Sequence, residues 1–240
     1  MTLILLGLLS TAAAALLGGL TGFGYALLAS PLLLLIGLPP AQVVAVNLLL
    51  ALFTRITVVA RWWSHIIWSR ALVLTLSSVP GLAIGLLIVE RVDQSVLRWT
   101  TGVLALVAAP LLMISRPRQG QLHRGFYALA GLLGGAFATT TSLNGVPPAL
   151  TLASDGGARR SLVVDMAFYF VVSNVVGIVL MVLSGGISDG ALELVGLWLP
   201  GCLIGNWAGT RLAPHVPATA FRYLVCVLVV AAGISTLASG

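Results

Sequence analysis

Two short polar interruptions stand out in an apolar chain. One is Thr21-Gly22-Phe23-Gly24. The other is Thr139-Thr140-Thr141-Ser142-Leu143-Asn144-Gly145, polar at every position except Leu143. Hydroxyls, a carboxamide and glycine amides offer hydrogen-bond donors without formal charge, and glycine lets a ligand come close to the backbone. That combination suits an anion. The same small residues also permit close helix packing, so both uses stay open. Arg55 adds a cation inside the run from Ala41 to Val59. A charge at that depth either faces a cavity as the counter-charge of an anion or snorkels toward an arginine-rich end marked by Arg61. Asn47 and Asn174 also lie inside apolar runs, where each either lines a site or makes an interhelical hydrogen bond. Asp165 follows Arg160 by about one turn and is expected to pair with it; it is also the one acid placed to carry a coupled proton.

Other chemistries find no residues. His65, His123 and His215 are scattered in loops, too far apart for a metal, and no nucleophile stands with a base. Cys202 and Cys226 both sit in apolar runs and form neither a disulfide framework nor a zinc pattern. The expectation is therefore a protein that is not an enzyme and needs no metal or cofactor.

These residues must be held by membrane helices. Of 240 residues 59% are hydrophobic and 8% charged, against about 25% charged in a soluble domain. The mean hydropathy is +1.11. A soluble fold of this size has too little interior to hide that surface, and disorder needs the opposite composition. The net charge of +6 comes from 12 arginines, with no lysine. They stand at the ends of apolar runs, which indicates topology and lipid headgroups rather than nucleic acid. The first apolar run has no basic leader and continues past Leu35, so it is expected to be a retained membrane segment.

The halves repeat one another. Pro80-Gly81-Leu82-Ala83-Ile84-Gly85 recurs as Pro200-Gly201-Cys202-Leu203-Ile204-Gly205, and Arg91 recurs as Arg211 at the same offset. Gly18-Gly19 and Pro31 match Gly134-Gly135 and Pro147; Leu97-Arg98-Trp99 resembles Phe221-Arg222-Tyr223. The spacing of Gly81/Gly85, Gly201/Gly205 and Gly205/Gly209 marks packing faces. Trp62, Trp63, Trp68 and Trp99 look like interfacial anchors. The expected units are residues 1–118 and 119–240, within one membrane domain.

Orientation follows from length and charge. Only 30 residues separate Arg124 from Asp155, while two full crossings need about 40. The pair is either one broken span or a re-entrant hairpin. If each half opens with a hairpin, Arg61, Arg70, Arg116, Arg118, Arg124, Arg159, Arg160, Arg211 and Arg222 share one side against Arg91 and Arg98. If each pair is one span, the arginines divide five against six. The positive-inside rule favours the hairpins. The expected fold is thus an all-α polytopic membrane protein of two inverted repeats, each a re-entrant or broken helical hairpin plus three transmembrane helices. Both termini then lie outside the cytoplasm.

A returning half-helix begins at mid-membrane with a positive dipole end and unpaired amides. Two of them, one per repeat, would meet around a shared anion site. The candidate site residues are Thr21, Gly22, Phe23, Gly24, Asn47, Arg55, Thr140, Thr141, Ser142, Asn144, Gly145 and Asn174.

The glycine-containing break, Ser30-Pro31, Gly37-Leu38-Pro39, the paired Pro-Gly-x-x-x-Gly segments and Phe221-Arg222-Tyr223 resemble the TauE/SafE family over nearly the whole chain. The break is poorer in glycine here, and the second interruption is Thr/Ser/Asn-rich instead. The resemblance implies an exporter of sulfite or related sulfonates in a bacterial-type cytoplasmic membrane. It also implies a small anionic substrate and a lipid surround as the partners, with a homo-oligomer left open. Alternating access is the expected mechanism, and an inside-negative potential would drive an anion outward by about 2.3 kcal/mol per charge per 100 mV. Two alternatives remain: an uptake permease for another organic acid or ion, and a non-transporting assembly protein with a closed apolar centre.

Overall fold

Glycine and proline break some of the apolar runs, at Gly22–Gly24, Pro39–Pro40 and Gly185–Gly186, while Pro31, Pro80, Pro110 and Pro200 lie inside helices. The computed structural model describes residues 2–114, 122–155 and 159–213, with positions 215, 227, 230 and 234. Its helices are α1 (Thr2–Thr21), α2 (Tyr25–Leu35), α3 (Pro40–Trp62), α4 (Trp68–Val89), α5 (Gln94–Ile114), α6 (Arg124–Thr140), α7 (Val146–Ser154), α8 (Arg159–Leu183) and α9 (Asp189–Leu212). A 3₁₀ turn, Trp63–His65, joins α3 to α4. Among the described residues five helical stretches are long and apolar enough to cross a bilayer: Thr2–Thr21, Pro40–His65, Trp68–Val89, Arg160–Leu183 and Gly190–Leu212. The protein is an all-α, polytopic membrane protein. The run 218–237, expected as a last helix, lies almost wholly outside the described residues.

Glycine carries the tightest packing. A Cβ on Gly205 would run into the Ala12 carbonyl, and one on Gly209 into that of Leu16. These glycines let α1 and α9 touch backbone to backbone. Gly7 lies against Trp198, so the two helices run in the same direction. The same device joins α4 to α6. A Cβ on Gly131 would strike the Leu74 carbonyl, one on Gly135 that of Ser78, and one on Gly81 that of Leu132. These two helices are also parallel. Close approach of this kind supplies dispersion contacts where lipid supplies no hydrophobic drive.

The central pair is antiparallel. Near the middle of α3 and α8, Asn174 Nδ2 donates to the Leu48 carbonyl at 3.3 Å. Nearer one end, the Arg160 guanidinium lies 5.9 Å from the Trp62 ring centre. By contrast α4 runs parallel to α8, through Arg70 with Asp165 at one end and Leu82 with Gly177 farther along.

The α6–α7 pair returns to its starting side. Leu122, just before α6, donates its amide to Asp155 Oδ1, just after α7, at 3.0 Å. Tyr127, Ala130, Ala149 and Leu152 share one apolar cluster. The two arms differ in length. At the helical rise, the 17 residues of α6 measure about 26 Å and the nine of α7 about 14 Å. In the first half α1 has 20 residues, about 30 Å, and α2 has 11, about 17 Å. The outgoing arms are therefore nearly membrane-length, and only the returning arms are short.

One end of the bundle collects arginine. Arg61, Arg160 and Arg211 line one cavity there, and Arg70 and Arg124 line a smaller pocket. Trp63, Trp68 and Phe168 pack edge to face at the same end. Arg116, Arg118 and Arg222 lie outside the described residues.

Asp165 does not pair with Arg160. Its Oδ2 accepts from Arg70 Nε at 2.6 Å, and its Oδ1 accepts from the Ile67 amide at 2.9 Å. Arg70 Nη1 also holds Asp155 Oδ2 at 2.6 Å. Arg160 turns instead to the Trp62 ring. The reason is tertiary: α4 and α8 lie side by side, so a residue 95 positions away is nearer than one on the neighbouring turn. Burial alone would raise the Asp155 carboxyl. Hydrogen bonds from the Tyr127 hydroxyl, the Leu122 amide and Arg70 outweigh it and hold the carboxyl below its usual value.

Candidate functional site

Arg55 is fixed by the face of α3 it occupies. That helix buries Leu48, Thr54, Val58 and Val59, and Arg55 is 2% exposed among them. Gly18 makes room for it; a Cβ there would sit 2.8 Å from Arg55 Nη2. The guanidinium lies 5.7 Å from the Phe170 ring centre, with Tyr25 and Cys202 beside it. Among the described residues no carboxylate pairs with it; the two buried ion pairs there both belong to Arg70. A buried cation without a counter-charge is costly. Arg55 lines a cavity that could hold such a counter-charge.

The cavity is about 900 Å³. It lies between the ends of α1, α3 and α9 and the start of α8. Arg61, Arg160 and Arg211 stand exposed around it, with Trp62 and Trp207. Arg211 lies over Trp207 at 4.9 Å. Arg55, Asn206 and Gly22 form its deep part. Asn206 is 6% exposed, and among the described residues its Oδ1 has no partner and the buried Tyr25 hydroxyl beside Arg55 has no well-formed hydrogen bond. From Trp62 back to Arg55 is seven residues of α3, about 10 Å of depth.

Deeper along α3 than Arg55 lies a polar knot. Ser30 Oγ and Ser142 Oγ are 2.6 Å apart. Asn47 Nδ2 donates to both, at 3.1 and 3.0 Å, and its buried Oδ1 has no partner among the described residues. Asn144 Nδ2 donates to Asn174 Oδ1 at 2.9 Å, and the Tyr169 hydroxyl donates to the Asn144 carbonyl at 3.2 Å. Asn47 is eight residues from Arg55 on α3, about 12 Å farther from the arginine-rich end.

The two interruptions share features of their turns, although three residues link α1 to α2 and five link α6 to α7. Gly22 and Ser142 both take positive φ, +90° and +59°. Thr21 Oγ1 accepts from the Gly24 amide at 2.8 Å and the Phe23 amide at 3.2 Å, and Thr141 Oγ1 accepts from the Leu143 amide at 3.3 Å. The turns also meet, since a Cβ on Gly145 would lie 3.4 Å from the Phe23 carbonyl.

The site residues read from sequence thus separate into groups. Gly22 and Arg55 share the cavity. Asn47 and Ser142 form the knot with Ser30, and Asn144 pairs with Asn174. The hydroxyls of Thr21, Thr140 and Thr141 donate back to Leu17, Ala136 and Phe137 of their own helices. Gly24 and Gly145 cap α2 and α7, and Phe23 packs with Leu143 and Val146. Amide donors are fewer at α7 than a half-helix start suggests. Pro147 and Pro148 carry no N–H, and the Val146 amide already bonds the Leu143 carbonyl at 3.3 Å. Sequence reasoning missed Asn206, Tyr25 and Ser30 as site residues. Asn206 carried the same signal as Asn47 and Asn174, a carboxamide inside an apolar helix.

Crossing helices around a basic vestibule define a polytopic membrane protein with a water-facing cavity that ends on a buried cation. The chain matches the family model described as "Sulfite exporter TauE/SafE" over residues 6–236 and belongs to that family. It is a membrane transporter of a family that exports sulfur anions, and that family is not enzymatic. Comparison with individually curated proteins and with solved structures gives no match.

Proposed function

We propose that the protein exports sulfite or a small organosulfonate by alternating access between two inverted repeats, residues 1–118 and 119–240. The observation that carries this reading is Arg55, a buried guanidinium with no carboxylate partner among the described residues, at the deep end of an arginine-rimmed cavity. An anion there would supply the missing counter-charge, and the low local dielectric strengthens the pairing. The rim arginines raise the local concentration of anions.

Several features support the inverted arrangement. Corresponding helices run in opposite directions, as α3 and α8 do. The pairing α1 with α9 has its counterpart in α4 with α6. Each turn sets a positive-φ residue straight after a threonine whose hydroxyl accepts from the amide two residues on. The arginine-rich end is then cytoplasmic, both termini are extracytoplasmic, and the vestibule faces inward. The knot of Ser30, Asn47 and Ser142 closes the outward route and opens when the repeats exchange roles. An inside-negative potential would expel an anion by about 2.3 kcal/mol per charge per 100 mV, without ATP.

Proteoliposomes loaded with sulfite or methanesulfonate test the reading. Efflux above that of empty vesicles, driven by an imposed potential of the right sign and lost in Arg55→Gln, is expected. No flux of either anion would overturn it.

A further inference from the structure

We infer that the deep end of the vestibule takes one negative charge at a time, so that the protein moves sulfite as its singly protonated monoanion and excludes the dianion. This rests on the transport reading and adds the charge state of the cargo. The reasoning is a count of charges at depth. Arg55 is 2% exposed, and among the described residues the groups facing it are these. Tyr25 comes from α2, Cys202 from α9 and Phe170 from α8, while α1 offers Gly18. Asn206 of α9 completes the end of the cavity. The phenol, the thiol and the carboxamide are neutral groups, so among the described residues the deep end holds one fixed charge.

Arg61, Arg160 and Arg211 do not change the count. They are exposed at the wide part of the cavity, where water and salt screen them, and Arg160 and Arg211 lie over Trp62 and Trp207. They can gather either form of sulfite. Only the form matched by Arg55 is neutralised on moving inward. A dianion would carry an unpaired charge into the low-dielectric centre, where no partner reduces its desolvation cost. The unpartnered Asn206 Oδ1 adds to the discrimination: a carbonyl-type oxygen accepts a hydrogen bond from a protonated oxyanion and repels a bare one.

Sulfite loses its second proton near neutral pH, whereas methanesulfonate is a monoanion throughout that range. The two anions therefore separate titration of the cargo from titration of the protein. The full-length protein in proteoliposomes, with equal pH on both sides and leak through empty vesicles subtracted, gives initial rates for each. At a fixed total concentration below saturation, sulfite flux should fall about tenfold per pH unit above its second ionisation, as the monoanion fraction does. Methanesulfonate flux should stay level. The variant Asn206→Lys, which adds a second cation at the deep end, should flatten or reverse the sulfite profile. Should that variant fail to insert, the two pH profiles of the unmodified protein decide between the charge states alone. Sulfite flux that is level or rising with pH in the unmodified protein, while methanesulfonate is transported, would overturn the inference and leave the transport reading standing. Flux of neither anion would overturn both.

Discussion

Removing the charge of Arg55 while keeping its bulk separates a binding role from a structural one, because the two roles move stability and affinity in opposite directions. Arg55→Met leaves an unbranched apolar chain in a site that is 2% exposed and flanked by Phe170 and Tyr25. The guanidinium has no ion-pair partner among the described residues. Its loss therefore orphans no buried carboxylate, and apolar bulk in place of buried ionic groups is neutral to stabilising, here taken as about 0–1 kcal/mol. On the slope for a chain of this size, each kcal/mol shifts the melting temperature by about 2–4 °C. The variant should melt at the same temperature or a few degrees higher. Binding should collapse. Two hydrogen bonds from a charged group, at about 1.5–3 kcal/mol each, amount to roughly 3–6 kcal/mol, or between about 100-fold and 10⁴-fold in affinity. Thermal unfolding in detergent, with and without methanesulfonate, reads both quantities. The unmodified protein should be stabilised by the anion and the variant should not. A variant that melts well below the parent would make Arg55 a structural residue. A variant still stabilised by the anion to the same extent would remove it from the site.

Three further outcomes follow from the geometry. Oxidising Ser30→Cys/Ser142→Cys should tie the first half to the second across the 2.6 Å contact and stop transport, and a reductant should restore it; transport that persists after complete crosslinking would show that the knot does not open. Asp155→Asn should cost about 1–3 kcal/mol, since Arg70 retains Asp165, and should shift the acid limb of a stability profile. The folded Asp155 carboxyl lies below its usual value, so its contribution is present above the ordinary carboxylate range and is lost as pH falls through the depressed value. A parent and variant with the same acid limb would contradict this. Arg160→Gln and Arg211→Gln, both at exposed rim positions, should slow anion entry at low salt and change little at high salt; loss of equilibrium affinity at high salt would instead make them ligands.

Much of the fold was legible because membrane helices announce themselves. Length, hydropathy and flanking arginine depend on nearest neighbours and on the bilayer alone, and they indicated the helical class and the grouping of arginine at one end. The glycine repeats also read correctly as packing faces, since only glycine permits the backbone contacts of Gly81 with Leu132 or Gly209 with Leu16. The 30 residues between Arg124 and Asp155 fitted two helices because α7 is only nine residues long. The same arithmetic did not foresee how unequal the arms are.

The site was less legible, because its partners come from distant elements. Arg55 had two readings from sequence, and the choice between them lay in α1, whose Gly18 leaves space for the guanidinium. Asn47 had the readings of a lining group and of an interhelical hydrogen-bond donor, and its bonds to Ser30 and Ser142 come from elements far off in the chain. Asp165 found Arg70 because of how α4 meets α8. Composition and periodicity determined by themselves that this chain lives in a bilayer as a helical bundle with one basic end, since those properties concern each segment and its solvent. Which polar groups were spent on one another, and which buried cation was left facing a cavity, was decided only when the helices packed, because hydrogen bonding and burial are properties of pairs.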